Sequence, residues 1–495
     1  MKGRKTMKFK KALASVAAAA MLASALSGCG SKTASSDSDN TITWYMSKAV
    51  ENTSNAEMVM EEANRIIGDK LGLKLDLHLI DMGNYSEKMN VMLSSREKMD
   101  ICFINKADQF SNGIKNGSFV ELTDEMLNEY APAIVEKTED ILWKLVTVNG
   151  KKYGIKGQAP LSSAKSIVFK KDLVEKYNFD YKSVTCLADL EPYLQTLKEN
   201  EPNVIPLLYQ TPDKVSQRYT DTNIKTLVFD EEEQQYKCLI DTDEFTELYR
   251  LKNDYYKKGY IAKDAITKTE YLTECKSGNY AVMCNTGYYS EDGSKSTGAY
   301  GFPTVETYVG STVVCSSSAS MNCISSTSDK PEKALQLLNL VWEDEYLLNT
   351  LAYGVEGVDY KIDEQRTQEI GSKSVIPNTG NMQTWGIWHN WLGPLWTQWD
   401  SSWNKKEALE TMRETNTTAQ VSAAFGFRFD SEPVKTEYAK CCSVYEEYDR
   451  VLSTGSMTDF DTYYADARQK LAEAGIDAVI EEANRQYREW KQSNS

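Results

Sequence analysis

Strand-like and helix-like hydrophobic patterns alternate over residues 42–104, and this alternation constrains the fold more than any other feature of the chain. The strand candidates are residues 42–45, 73–79 and 101–104, the last of which is continuously apolar. Between them, apolar residues recur at helical spacing over 56–67 and 85–93. Strands that alternate with helices form a mostly parallel sheet with helices on both faces. We therefore predict an α/β fold.

The ends of these strand candidates are where a ligand would be expected. In open α/β sheets, ligands bind beyond the C-terminal ends of the strands. Trp44 and Tyr45 end the first strand candidate, and Asn105 follows the third. We predict that these three residues line a binding cleft, although ordinary strand and loop packing accounts for them equally well.

The N-terminus has the pattern of an export signal. Six basic residues within positions 2–11 precede an apolar, alanine-rich stretch over 12–26, which is too short to span a bilayer. The run Leu26-Ser27-Gly28-Cys29 resembles the lipobox of bacterial lipoproteins, which implies removal of residues 1–28 and a diacylglycerol on Cys29. Residues 29–40 are small and polar, and they predict a flexible tether. We expect a protein anchored by lipid to the extracytoplasmic face of the cell membrane; the alternative is an ordinary signal peptide with a chance cysteine.

Length and charge limit the partners. Removal of residues 1–28 leaves 467 of the 495 residues, more than one core usually serves, so two or more lobes are expected. The six basic residues of the signal then no longer count, and the net charge falls from −16 to −22. Such a surface repels nucleic acid and anionic ligands.

Chemistry-bearing motifs are scarce. The chain has only two histidines, His78 and His389, which argues against a histidine-rich metal site or a Ser-His-Asp triad. Nine cysteines remain besides Cys29; buried free thiols are favoured, and one or two disulfides stay possible. Residues 241–244 lack the glycine and the final glutamate of an EF-hand loop. We expect no metal and no cofactor.

Four runs, at residues 149–155, 167–173, 278–288 and 329–341, carry a family resemblance. Their order resembles that of the family 1 extracellular solute-binding proteins of bacterial ABC importers, with Lys156 standing where that family often has proline. The runs at 351–357, 424–430, 433–435 and 471–477, together with Trp490-Lys491, are similar to one Gram-positive subgroup. That subgroup has a C-terminal domain of unknown function.

This resemblance implies a type II periplasmic-binding-protein-like fold, with two hinged α/β lobes around a central cleft. By motif order, the first lobe comprises 41–150 plus 299–350. The second comprises 151–298 plus 351–495, including the C-terminal region of the subgroup. The family implies a monomer that captures a small-molecule solute and delivers it to the transmembrane subunits of an ABC permease.

Tryptophan is concentrated in one short segment. Six of the ten tryptophans lie within 19 residues: Trp385, Trp388, Trp391, Trp396, Trp399 and Trp403. Indole faces suit sugar rings, but spacings of three and four are also those of core positions on a helix. We favour Trp385 and Trp388 as ligand contacts, because Gly386 and Asn390 indicate a less regular segment, and we expect the last three to pack.

Three further residues are candidates. Tyr288 follows Asn285-Thr286-Gly287, where the family resemblance implies an aromatic residue at the cleft edge. Glu356 lies between two glycines. Its carboxylate is either an acceptor for ligand hydroxyl groups or a solvated acid at a helix end. Arg428 lies in an aromatic run, and we slightly favour a structural ion pair over a ligand clamp.

These observations predict a non-enzymatic receptor for a neutral oligosaccharide. A secreted carbohydrate-active hydrolase is an alternative, but among 72 acidic residues no single carboxylate pair is specific for catalysis. A second alternative is a lipoprotein that senses a ligand for a membrane kinase.

Overall fold

The structure is a computed structural model. It describes residues 40–48, 55–162, 164–214, 218–222, 224–268, 270–284, 293–311, 313–314, 320–378, 385–387, 391–401 and 405–493. Among these residues, none of the helices combines the length and the apolar character needed to cross a membrane.

Short strands and amphipathic helices alternate along the described chain. The strands are β1 Thr41–Lys48, β2 Lys74–Asp81, β3 Ile101–Ile104, β4 Thr147–Val148, β5 Lys151–Lys152, β6 Ile155–Lys156, β7 Ala164–Lys170, β8 Ile205–Leu207, β9 Tyr219–Asp221, β10 Leu227–Asp230, β11 Gln235–Cys238, β12 Tyr280–Cys284, β13 Thr304–Ser311, β14 Met321–Ile324, β15 Tyr360–Ile362, β16 Ser374–Pro377 and β17 Asp400–Ser401.

The two longest of the described helices, of 20 and 18 residues, lie in the C-terminal part of the chain. The helices are α1 Ala56–Leu71, α2 Met82–Ser94, α3 Ala107–Lys115, α4 Asp124–Tyr130, α5 Pro132–Lys137, α6 Asp140–Val146, α7 Lys171–Lys176, α8 Glu191–Asn200, α9 Asp243–Lys258, α10 Tyr271–Lys276, α11 Ser294–Tyr300, α12 Pro331–Glu343, α13 Glu345–Tyr353, α14 Glu364–Ile370, α15 Lys406–Thr418, α16 Lys435–Thr454, α17 Phe460–Ala474 and α18 Ile476–Ser493.

The first sheet has the strand order β2-β1-β3-β14-β6. As predicted, β1 pairs in parallel with both β2 and β3. The sheet is mixed, however, because β14 runs antiparallel to β3 and β6. Helices α1, α2, α12 and α13 contribute apolar faces to the same core as these strands. The expected βαβαβ unit therefore exists, and it is completed by a strand from far along the chain.

Local sequence explains several boundaries. Gly72 ends α1 in the left-handed region (φ 63°) and allows the chain to turn directly into β2. Asn149 and Gly150, with φ of 52° and 74°, form the tight turn that the sequence predicts between β4 and β5. Helices α12 and α13 are separated at Asp344, whose carboxylate accepts a hydrogen bond from Leu347 N and caps the start of α13.

The second sheet has the order β13-β7-β12-β8. Strand β7 is antiparallel to both β12 and β13, and β12 is parallel to β8. Alternate residues of β7 enter different cores: Ile167 and Phe169 pack on one face, and Val168 packs on the other. This sheet is therefore covered on both faces.

A third core lies in the C-terminal part of the chain. Helices α16, α17 and α18 pack with β10, β11 and Tyr249 of α9. We call this group of elements the C-terminal helical body.

The predicted division of the chain into lobes can be compared with these cores. Residues Tyr360, Val375 and Trp399, which the division assigned to the second lobe, pack in the core of the first sheet. This packing favours grouping 360–399 with the first sheet, and the lobe boundaries themselves stay a prediction.

Asn322 on β14 is a buried polar connector in the first sheet. Its Oδ1 accepts a hydrogen bond from Trp44 Nε1 at 3.1 Å, and its Nδ2 donates to the carbonyl of Trp391 at 3.0 Å. The side chain is 2% exposed, so water cannot replace either partner.

We expect Asn322→Ala to lower the free energy of unfolding by about 2–4 kcal/mol, because it leaves two buried polar groups unpaired. Urea unfolding monitored by circular dichroism would measure this change. The control is Asn128→Ala, since Asn128 lies on the exposed face of α4 and donates only to Asp124 O. Equal effects of the two substitutions would contradict the role given to Asn322.

Candidate functional site

Polar and aromatic side chains gather at the C-terminal edge of the first sheet. The Tyr45 ring stacks on the His78 ring, with centroids 4.4 Å apart and planes 11° from parallel. Lys48 and Asp81, the last residues of β1 and β2, form an ion pair at 2.6 Å. Asn105 Oδ1 accepts a hydrogen bond from Ser86 Oγ at 2.9 Å. Asn105 therefore lies at the edge where the sequence places the cleft, whereas Tyr45 lies inside β1, because this strand continues to Lys48 and does not end at residue 45 as predicted.

The hydroxyl of Tyr85 lies between backbone carbonyls of β1 and β3. It lies 2.6 Å from Phe103 O on β3 and 3.1 Å from Tyr45 O on β1. The Oγ of Ser47 and the Oε1 of Gln109 are also buried here, and neither has a hydrogen-bond partner among the described residues. Buried acceptors of this kind usually bind water or a ligand, so this edge has unused hydrogen-bonding capacity.

Two predicted ligand contacts are instead enclosed in the core. Trp44 is 0% exposed and donates to Asn322, whereas Trp385 is 1% exposed and donates to Leu351 O at 2.8 Å. Both side chains point into the core, where each indole N–H donates to a buried acceptor. In this conformation neither ring can stack on a ligand, so the prediction for both is corrected to a packing role.

Other tryptophans of the cluster also act as anchors. Trp391 packs on Phe103 at a centroid distance of 4.9 Å. The Nε1 atoms of Trp396 and Trp399 donate to Glu139 and Glu345 at 2.9 and 2.6 Å. Trp396 and Trp399 thus pack, as the sequence favoured. Trp388, Tyr288 and Cys29 lie outside the described residues, so their roles stay predictions.

Glu356 lies at the surface, where its side chain is 55% exposed and pairs with Lys373 at 3.7 Å. The Lys373 ammonium is 3.8 Å from the centre of the Trp399 ring. This placement leaves the carboxylate accessible to a hydroxyl group, although it agrees equally with the solvated acid considered above.

The two sheets are joined by crossing segments that meet at Lys156. The chain leaves the first sheet after β6 and returns to it at β14, and Lys156 is opposite Met321 in that pairing. Lys156 is 1% exposed, and its Nζ donates to Ser320 O at 3.4 Å. Burial lowers the pKa of Lys156 to about 8. Proline, the residue that the family resemblance implies here, would place no charge in this position.

Side chains of Gln158 and Asn416 hold the outgoing crossing segment. Gln158 donates to Lys137 O at 2.8 Å through Nε2 and accepts from Trp396 N at 3.1 Å through Oε1. Asn416 accepts from Leu161 N at 2.7 Å and donates to Ala159 O at 2.9 Å. The crossing segment therefore has a defined path between the sheets.

Unpaired polar groups also occur at the corresponding edge of the second sheet. Gln210 Oε1 and Thr211 Oγ1, just beyond β8, are buried and have no partner in the described part of the chain. Nearby, Lys252 Nζ donates to Tyr209 O at 3.0 Å, and burial lowers its pKa to about 8. Gln210 and Thr211 were not among the residues predicted from the sequence, although their place after the strand at 205–207 is the signal that identified Asn105.

The combined chemistry is that of noncovalent recognition. Both sheet edges have aromatic faces or unpaired hydrogen-bonding groups, as a polyhydroxylated ligand requires. Over the residues that the structure describes, no three His, Cys, Asp or Glu side chains converge on a possible metal position.

Comparison with known proteins bears on the class of protein and on the fold. The family "Domain of unknown function (DUF3502)" matches residues 423–492. A carbohydrate ABC transporter substrate-binding protein of Streptococcus pneumoniae serotype 4 (strain ATCC BAA-334 / TIGR4) is 27% identical over 497 residues, covering 98% of each chain. The protein thus has a DUF3502 domain at its C-terminus and is homologous to a substrate-binding protein over nearly its whole length.

Solved structures extend the comparison to the fold. The N-glycan transport solute binding protein NgtS of Streptococcus pneumoniae is 25% identical, with a TM-score of 0.76 over 92% of this chain and all of that one. Its complexes with Man1GlcNAc and Man5GlcNAc give TM-scores of 0.65 and 0.61. An extracellular solute-binding protein from Bifidobacterium longum subsp. infantis, at 15% identity and a TM-score of 0.61, shares the fold. The predicted two-lobed solute-binding architecture is confirmed.

Lys156 gives a prediction with a defined pH dependence. A lysine in the unfolded chain has a pKa of about 10.4, so the folded protein is penalised for the buried charge below about pH 8 and recovers stability between about pH 8 and 10. We expect Lys156→Met to raise the free energy of unfolding at pH 7 by up to about 3 kcal/mol, and this gain to shrink toward zero near pH 10.

Urea unfolding of both proteins at the two pH values would test this expectation. Lys257→Met, at an exposed position on α9, is the control and should change stability little at either pH. A gain from Lys156→Met that persists undiminished at high pH would show that packing, and not charge, is responsible.

Proposed function

We propose that the protein is the solute-binding component of an ABC importer, and that it captures a neutral oligosaccharide and delivers it to the permease. The observation that supports this most strongly is the homology over 98% of the chain to a carbohydrate ABC transporter substrate-binding protein. The solved relative that transports N-glycans is also similar over 92% of the chain. The same relatives are solute-binding proteins, which supports a role in binding without catalysis.

The described site fits this ligand class. Sugar hydroxyls need fixed donors and acceptors. Ser47, Gln109, Gln210 and Thr211 have unused hydrogen-bonding capacity near the sheet edges, in atoms that are buried in this arrangement, so a bridging water would have to connect them to a ligand. Sugar rings need apolar faces, for which Tyr45 is the described candidate and Tyr288 and Trp388 remain predicted ones. The net charge of −16 disfavours an acidic sugar unless a local basic group pairs with it.

Capture is proposed to involve closure of the two lobes. The chain superimposes better on NgtS described without a ligand than on its two complexes, with TM-scores of 0.76 against 0.65 and 0.61. Because the three NgtS structures match this chain to different degrees, they must differ from one another in conformation. A ligand that contacts both sheet edges would favour the arrangement in which these edges are closest.

Affinity for an oligosaccharide should be roughly micromolar, near −8 kcal/mol, because a transport receptor must release its ligand. Isothermal titration calorimetry against a panel of neutral plant and host oligosaccharides would find the ligand. We expect Tyr288→Ala and Trp388→Ala each to weaken binding by about 1–3 kcal/mol, the scale of a lost aromatic contact. Tyr271→Ala, at an exposed tyrosine on α10, is the control.

Two outcomes would reject parts of this proposal. Binding restricted to peptides or amino acids would reject the carbohydrate ligand while retaining a receptor. Release of shorter sugars during the titration would reject a purely binding role and favour the hydrolase considered in the sequence analysis.

The lipid anchor is proposed separately, from the lipobox resemblance at Cys29. In cells fed a clickable fatty-acid analogue, the protein should become labelled and sediment with membranes. Cys29→Ala should abolish the label and leave the protein unprocessed or released, because the thiol is the acylation site. A matched substitution at the neighbouring Ser31 should leave labelling intact, and undiminished labelling of the Cys29 variant would reject the assignment.

A further inference from the structure

The C-terminal helical body is held firmly against the second lobe. The Asn253 side chain on α9 donates to Gly455 O at 2.8 Å and to Met457 O at 2.6 Å. Arg450 on α16 donates to Ile266 O and, at 3.0 Å, to Lys268 O. A Cβ atom at Gly455 would lie 2.2 Å from Lys252 O, so only glycine permits this approach of the two backbones.

Helix α9 belongs to both bodies at once. Its Tyr255 is buried in the core of the second sheet, and its Tyr249 is buried in the core of the C-terminal helices. A helix that fills two cores on two faces cannot rotate relative to either without breaking one of them. The C-terminal helical body and the second lobe must therefore move together.

The segment before α16 connects the C-terminal helical body to the first lobe, and this connection is centred on Arg428. Its Nη1 lies 3.2 Å from Ala107 O and 3.3 Å from Ser111 Oγ, and its Nη2 donates to Leu145 O at 2.9 Å. The guanidinium also lies over the Phe110 ring at 4.7 Å. These partners are carbonyls, a hydroxyl and a ring, which corrects the ion pair that the sequence favoured. Burial lowers the pKa of Arg428 to about 10, which leaves it charged at neutral pH.

The same segment is hydrogen-bonded to a crossing segment between the lobes. Val314 N donates to Gln420 O at 2.8 Å, and Ser422 N donates to Val314 O at 2.9 Å. Phe425 packs with Leu142 and Val314. Residues 420–428 therefore lie beside the chain that returns from the second sheet to the first, which is where a relative rotation of the lobes has its smallest displacement.

We propose that the C-terminal helical body, with the preceding segment 420–428, forms a brace across the hinge. Arg428 is the positioning residue that holds this brace against the first lobe. The C-terminal helical body moves with the second lobe, and the contacts of Arg428 form the pivot that is kept in both the open and the closed arrangement. Ala107 lies two residues after Asn105, so the brace also restrains the cleft edge of the first sheet. This inference rests on the proposed solute-binding function and gives the domain of unknown function a role within it.

Removal of the pivot should widen the range of lobe orientations before any ligand is present. We expect Arg428→Ala to raise the radius of gyration of the ligand-free protein in small-angle scattering, and to weaken oligosaccharide binding by about three- to tenfold through lost preorganisation. Arg428→Lys should restore part of the affinity, since an ammonium keeps the charge but cannot span three acceptors. Arg485→Ala, which removes only ion pairs within α18, is the control and should change neither quantity.

A second experiment distinguishes a pivot from a latch and does not depend on deleting a buried side chain. Lys115 and Asp430 form an exposed ion pair at 2.9 Å beside Arg428. Lys115→Cys and Asp430→Cys can be joined by a short bismaleimide, in a background carrying Cys186→Ser, Cys315→Ser and Cys442→Ser, with the linkage checked by mass spectrometry. Binding that survives the linker supports a pivot, whereas binding that is lost only after linking overturns it.

Failure of the proposed function and failure of the brace would give different experimental results. If no oligosaccharide binds the unaltered protein, the carbohydrate proposal fails, while the scattering of the ligand-free variants still tests the brace. An unchanged radius of gyration in Arg428→Ala, with normal folding by circular dichroism, would overturn the brace whatever the ligand is.

Discussion

Strand β14 lies between β3 and β6, and the rest of the structure depends on this placement. Backbone N–H and C=O groups buried inside a sheet must be paired, and β3 is paired on that side only by β14. The chain therefore has to leave the first sheet, build the second one, and return. This single requirement creates the crossing segments, the hinge, and the two opposed sheet edges at which a ligand is proposed to bind.

The same strand brings the important polar groups of the first lobe together. Asn322 on β14 joins Trp44 of β1 to the segment that contains Trp391. Lys156 on β6 is buried because Met321 and Ser320 lie beside it. The first sheet is thus an assembly of segments from distant parts of the sequence, and each buried polar side chain in it marks a junction between two of them.

Much of the fold could be predicted because its signals are local. Residues 74–81, 82–94 and 101–104 form the predicted strand, helix and strand. The antiparallel position of β14 could not be derived, because nothing in the short run Met321–Ile324 specifies a partner strand. Among the predicted site residues, the position of Asn105 at the sheet edge follows from its place after β3, and its contact with a ligand stays a prediction. Trp44 and Trp385 are buried in the core and not in the predicted cleft. The sequence could not show this, because the spacing of tryptophans does not reveal which indole N–H finds a buried acceptor.

The position of β14 also governs the order in which the exported chain can fold. Cys102 and Cys323, paired on neighbouring strands, are separated by 221 residues. Until the later residues emerge from the translocation channel, β3 has an unprotected apolar edge, which is a template for wrong pairing with other chains. The second sheet, whose strands all lie between residues 164 and 311, has no such delay. The lobe that begins the folded chain is therefore the one that completes its folding last, and until then it is the one more exposed to aggregation and proteolysis.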